Sequence, residues 1–174
     1  FYEIKYKTEQ RKKEAEAKKL FFFSADSLKK IRVDLKEEYY VLEKSQQGKW
    51  NFKEPFPTLA HQAEVNRLIE TVVNLKQQGV IGKGVKNLAD FGLAPPVVKL
   101  TLWLKNNSCF KTLYFGSRNP TKEYLYLMTG QDSMVVLVNA SVIFEVKRRM
   151  FDLRDKDLCS FNRADIDRIE IAIS

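Results

Sequence analysis

One histidine, two cysteines and 22 carboxylates are the side chains of this 174-residue chain that most readily do acid–base, nucleophilic or metal chemistry. Their spacing argues against all three. His61 stands alone, so a metal site built on several histidines is excluded, and a nucleophile, base and orienting group would have to come from lysines and carboxylates. Cys109 and Cys159 lie outside any C-x-x-C spacing, which removes a zinc knuckle and a thioredoxin-type redox pair. Each suits packing as a small apolar residue, with a Cys109–Cys159 bridge available if the compartment is oxidising. Gly79, Gly82 and Gly84 of GVIGKGVKN suggest a phosphate loop by composition only. Such loops follow a strand and open a helix, whereas these glycines follow a helical pattern. No catalytic residue, cofactor or metal ligand is assigned.

What remains is binding by rings and cations. The formal charge of +8 and pI near 9.4 attract acidic surfaces at long range. The excess is diluted, however: residues 140–174 hold seven Lys/Arg against seven Asp/Glu. The tightest cluster, Lys147-Arg148-Arg149, is flanked by Glu145 and Asp152 and reads as a solvated helix face. Aromatics interleave with basic residues in Lys111–Phe115 and Lys122–Tyr126, a pattern that can stack single-stranded nucleic acid on a sheet. Its commoner use is cross-strand packing with Lys on the wet face, so no nucleic acid is expected. Trp50, Trp103 and Tyr126 are the candidate interaction surface. Clustered exposure of these rings favours a carbohydrate- or peptide-binding module, and their burial favours a purely structural use.

The elements that must position these residues follow from periodicity. Alternating apolar residues mark three short strands, around Leu28–Leu35, Tyr39–Leu42 and Trp50–Phe52, forming a meander. Pro55 and Pro57 stop it. Residues 61–78 carry Val65, Leu68, Ile69, Val72 and Leu75 at helical spacing, with Gly79 expected as the left-handed residue just past the end. Four more strands follow at residues 97–105, 109–115, 123–128 and 134–138. Asn139 is placed to cap a second helix over about 140–151, with Ile143, Val146 and Met150 inward. Hairpins and meanders without strand–helix alternation predict an α+β fold on antiparallel sheet with two amphipathic helices.

The two ends differ from this body. Residues 1–19 have almost no apolar face but pair Glu9 with Lys13 and Glu14 with Lys18 at i,i+4, as an exposed helical spacer does. The preceding FYEIKY has the aromatic–basic composition of a membrane-helix flank. Because the chain starts Phe1-Tyr2 without Met, a removed upstream segment is expected. At the other end FNRADIDRIEIAI aligns without a gap on FSADSLKKIRVDL of residues 23–35, at a constant offset of 138. That match predicts a unit over residues 20–158, the first of a tandem repeat, with 159–174 as the first strand of the next copy. Such a strand can cover an open sheet edge.

Dispersed features run from about Leu28 onward: Trp50 followed by Pro55 or Pro57, the helix opening Ala60-His61-Gln62-Ala63-Glu64-Val65, Gly92-Leu93 with Pro96, Phe115-Gly116 before a Tyr-rich strand, and Leu153-Arg154-Asp155-Lys156 before Phe161. Together they resemble the bacterial domain-of-unknown-function 4340 family. The resemblance implies an extracytoplasmic protein anchored to the inner membrane by one N-terminal helix. It further implies tandem domains and envelope or transporter partners of ABC-type export or gliding-motility systems. Where the family has Asp at the helix cap this chain has His61, so the cap bond is expected to be weakened, with Glu64 able to reach back instead. Three functions follow: a non-catalytic module contacting a transport or envelope assembly, a carbohydrate- or peptide-binding module, and, least supported, a hydrolase.

Overall fold

The computed structural model describes residues 18–105, 110–131, 133–156, 168 and 170. Nine strands form one antiparallel sheet: β1 (Leu28–Asp34), β2 (Tyr39–Lys44), β3 (Trp50–Glu54), β4 (Thr58–Leu59), β5 (Gly79–Lys83), β6 (Val98–Leu104), β7 (Phe110–Arg118), β8 (Tyr124–Thr129) and β9 (Met134–Asn139). Their spatial order is β4-β3-β2-β1-β6-β7-β8-β9-β5. Two meanders are therefore joined edge to edge where β1 pairs with β6. Arg32 stands opposite Thr101 and Lys30 opposite Trp103 at that seam.

The expected α+β class is the observed one. Helix α1 (Gln62–Val73) lies on one face of the sheet and buries Val65, Leu68, Ile69, Val72 and Val73. Beneath it the inward positions of successive strands, among them Ile31, Val33, Tyr40, Leu42, Trp50, Phe52, Leu100, Leu102, Leu113, Phe115 and Leu127, form a single core. Period-two alternation puts these residues on one side of each strand, and burial of their apolar area supplies most of the driving force.

Several expectations need correction. The first helix stops at Val73 rather than running to residue 78. Asn74 donates its side-chain amide to the Glu70 carbonyl at 2.9 Å, and the next residues leave for a ladder in which Leu20 N–H meets Leu75 O and Gln77 N–H meets Lys18 O. Lys19 thus forms an isolated antiparallel bridge with Lys76. Gly79 is accordingly no helix terminus. It opens β5, a strand not foreseen, which pairs with β9 through a register shift at Val80/Gly82. The second helix is two, α2 (Val142–Val146) and α3 (Met150–Leu153), parted at Lys147-Arg148-Arg149. Ion pairing of the two arginines holds that break, so the cluster is a joint and not a solvated helix face. Met150, Val142 and Val146 are buried, with Ile143 partly so.

Cys109, Cys159 and the repeat strand of residues 161–173 lie outside the described residues, as does nearly all of the 1–19 spacer. No helix among the described residues is long and apolar enough to cross a membrane.

Candidate interaction surface

The outward positions of the strands build the site. Alternation that sends Val98, Leu100 and Leu102 to the core sends Lys99, Thr101 and Trp103 to the opposite face. Registered neighbours then assemble a patch across β2, β1, β6, β7 and β8. Arg32 sits between Val41 and Thr101, Lys30 beside Trp103, Lys99 between Asp34 and Tyr114, and Tyr114 beside Met128.

On this face three rings meet a cation. Lys30 Nζ lies 5.2 Å from the Trp103 ring centroid, Arg32 Cζ 4.5 Å from that of Tyr39, and Lys99 Nζ 5.9 Å from that of Tyr114. Such contacts hold the cation stems along apolar surface while their charged ends stay hydrated. Val41 and Thr101 are buried beneath them. Arg32 is further fixed by Asp34 Oδ1 at 2.7 Å, a hydrogen bond that raises the guanidinium pKa above its ordinary value. Lys30 and Lys99 have no ion-pair partner among the described residues.

Half of the same face is roofed. A 3-10 turn, Leu88–Phe91, followed by Gly92 at φ 63°, crosses over β7 and β8. Phe91 stacks edge-on against Tyr126 with centroids 4.8 Å apart, and Leu93 is buried. The crossing is close because Gly116 has no Cβ: one built there would lie inside van der Waals contact with the Phe91 carbonyl and 3.0 Å from the Leu93 side chain.

The three candidate rings are therefore separated. Trp50 is only 1% exposed and belongs to the core beneath α1. Trp103 and Tyr126 are half-buried on the open face, with β7 between their strands, and Tyr126 is covered by Phe91. Tyr114, Lys30 and Lys99 complete the patch and were missed as a group, because only the β1–β6 pairing brings residues about 70 positions apart together.

No acid–base constellation forms around the remaining candidates. His61 occupies the α1 cap position without a side-chain cap bond; its backbone N–H donates to Leu153 O at 2.8 Å. Glu64 does not reach back to close a capping box. Its carboxylate turns to Arg148, with Oε2 2.5 Å from Nη1, and to Arg67 at 3.3 Å. The Arg148 hydrogen bond holds the Glu64 carboxyl below the ordinary carboxylate value despite partial desolvation. Arg148 also meets Glu145 at 3.3 Å, and its carbonyl accepts from the buried Tyr40 hydroxyl at 3.0 Å. Burial pushes that hydroxyl far above its usual pKa, so it stays a donor. Among the described residues no group of three His, Cys, Asp or Glu side chains could hold a metal ion.

One antiparallel sheet with a helix-covered core face and a ring-and-cation opposite face defines a small α+β domain. The chain belongs to the DUF4340 family, described as a domain of unknown function, whose model matches residues 50–174. No curated protein and no solved structure matches it.

Proposed function

We propose that this chain is a non-catalytic module of the cell envelope, anchored to the inner membrane by an N-terminal helix and displayed outside the cytoplasm. Its open sheet face docks on a protein component of a transport assembly. The observation that carries this reading is the row of Trp103, Tyr114 and Tyr39, each with Lys or Arg against its ring, on a face that no α-helix of the described residues covers. Tyr, Trp and Arg are the side chains that supply most of the binding energy in protein interfaces, because they bury large area with few torsions to freeze. The aromatic–basic FYEIKY stretch and the family resemblance support the anchor and the location.

A carbohydrate platform is less well supported. Trp50 is buried and Tyr126 lies under Phe91, which leaves Trp103 without a second free ring from the candidate set.

The test is co-purification from the native envelope with wild type and with the Lys30→Glu/Lys99→Glu double variant. A transport-assembly protein held by the wild type and lost from the double variant supports the proposal. Equal retention by both refutes it.

A further inference from the structure

A second surface, away from the ring-and-cation patch, has a different composition. A groove of about 720 Å³ opens between the β1–β2 turn, the end of β7 and the α2–α3 joint. Leu35, Ile143 and Phe144 give it an apolar wall, and Phe144 is 68% exposed, unusual for a ring with a core so near. Arg118, from the end of β7, holds its guanidinium carbon 5.4 Å from the Phe144 centroid.

The charges around this wall are unequally satisfied. Glu38 is taken by Arg149 at 2.9 Å, and Asp152 accepts the Arg149 backbone N–H at 3.0 Å. Arg148 is engaged by Glu64 and Glu145. Lys36, Arg118 and Lys147 have no ion-pair partner among the described residues, and the acids at the rim without one are Glu37 and Asp152. An uncommitted positive arc therefore stands over an exposed aromatic ring.

We propose that this groove binds an acidic peptide segment with one apolar or aromatic anchor. The anchor side chain packs on Phe144 and Ile143, and flanking Asp or Glu side chains meet Arg118, Lys147 and Lys36. Charge complementarity selects the acidic partner, and the ring selects an anchored one. A charge-only ligand would leave Phe144 wet, and a neutral apolar one would leave the cations unanswered. Arg118 serves both halves, since its planar cation stacks on the ring while its N–H groups face the carboxylates. The proposal uses none of the residues of the open sheet face.

The probe is a short fluorescent synthetic peptide with one Phe among Asp and Glu residues, titrated by anisotropy at near-physiological salt. Saturable binding is expected, weakened about tenfold by Phe144→Ala, as for removal of an interface anchor. Arg118→Glu should weaken it at least as much, and Trp103→Ala on the open face should leave it unchanged. Phe144 is exposed, so its truncation leaves the fold intact, which circular dichroism checks. A matching peptide without its Phe should bind about tenfold more weakly to the wild type. Equal affinity of both peptides, or insensitivity to Phe144→Ala, would mean diffuse attraction to a basic protein and overturns the proposal. So would absence of peptide binding together with dimers that Phe144→Ala dissolves, which would make the occupant a second copy of the chain. Loss of partner capture in the open-face variant with peptide binding intact separates this inference from the function proposed above.

Discussion

Replacing Gln62 by Ala tests how the first helix is locked to the sheet. β4 pairs with β3 only at Asn51↔Leu59 and Phe52↔Thr58, so the chain turns away into α1 just as Trp50 needs its next partner. The Gln62 side-chain amide takes that place: Oε1 accepts from Trp50 N–H at 2.8 Å, and Nε2 donates to Trp50 O at 2.8 Å and Ala60 O at 2.7 Å. Three bonds at about 0.5–1.5 kcal/mol each bound the loss. Gln62 is only half-buried, so water can partly replace it, and a cost of about 2 kcal/mol is expected. For a domain of this size that lowers Tm by about 4–8 °C. Urea unfolding followed by circular dichroism measures it. Gln62→Glu sharpens the test, because a carboxylate keeps the acceptor but turns two carbonyls into repulsive neighbours. Its folded pKa should rise above the unfolded value, so the stability of this variant relative to wild type is greatest below the unfolded pKa and falls as pH rises through the folded one. A Gln62→Ala loss under about 0.5 kcal/mol, or a Gln62→Glu protein as stable as wild type at neutral pH, would refute the lock.

Other outcomes follow from the same contacts. Trp50→Ala should cost about 3–5 kcal/mol by chemical denaturation, as for other buried large-to-small changes, whereas half-exposed Trp103→Ala should cost well under half of that. Gly116→Ala drives a methyl against the Phe91 carbonyl and should destabilise by about 1–3 kcal/mol. The accompanying loss of the Phe91–Tyr126 contact is readable as a change in the near-ultraviolet signal of Tyr126. The Glu64 carboxyl is held below its ordinary value of 4.5, so its pairing with Arg148 stabilises above the unfolded pKa and is lost as pH falls through the folded one. The stability difference between wild type and Glu64→Gln should therefore shrink in acid, and in an Arg148→Met background the shrinkage should largely disappear.

Local pattern carried most of the fold. Strands such as β6 and β8 alternate cleanly in sequence, and their side chains go where alternation sends them. β5 was hidden because Gly79-Val80-Ile81-Gly82 does not alternate and its bulge at Val80/Gly82 breaks the period. The early end of α1 was hidden for a different reason. Leu75 continues the helical apolar spacing and is buried, but from an extended segment paired with Leu20. The α2–α3 break depends on Glu64 and Glu38, residues remote in the chain, which hold Arg148 and Arg149. The open face was least legible. Trp103 and Tyr126 were singled out as rings, yet that Lys30 would stand against Trp103 is decided by the long-range β1–β6 seam, and that Lys99 would stand against Tyr114 by the register of the β6–β7 pair.

Site-specific photo-crosslinking in the native cell reads the docking face most directly, with the photoreactive residue placed at Lys99 on the open sheet face or at Glu70 on the exposed side of α1. The proposed role predicts an adduct with one envelope transport component from position 99 and none from position 70. Adducts of equal yield from both positions, or from position 70 alone, would contradict it.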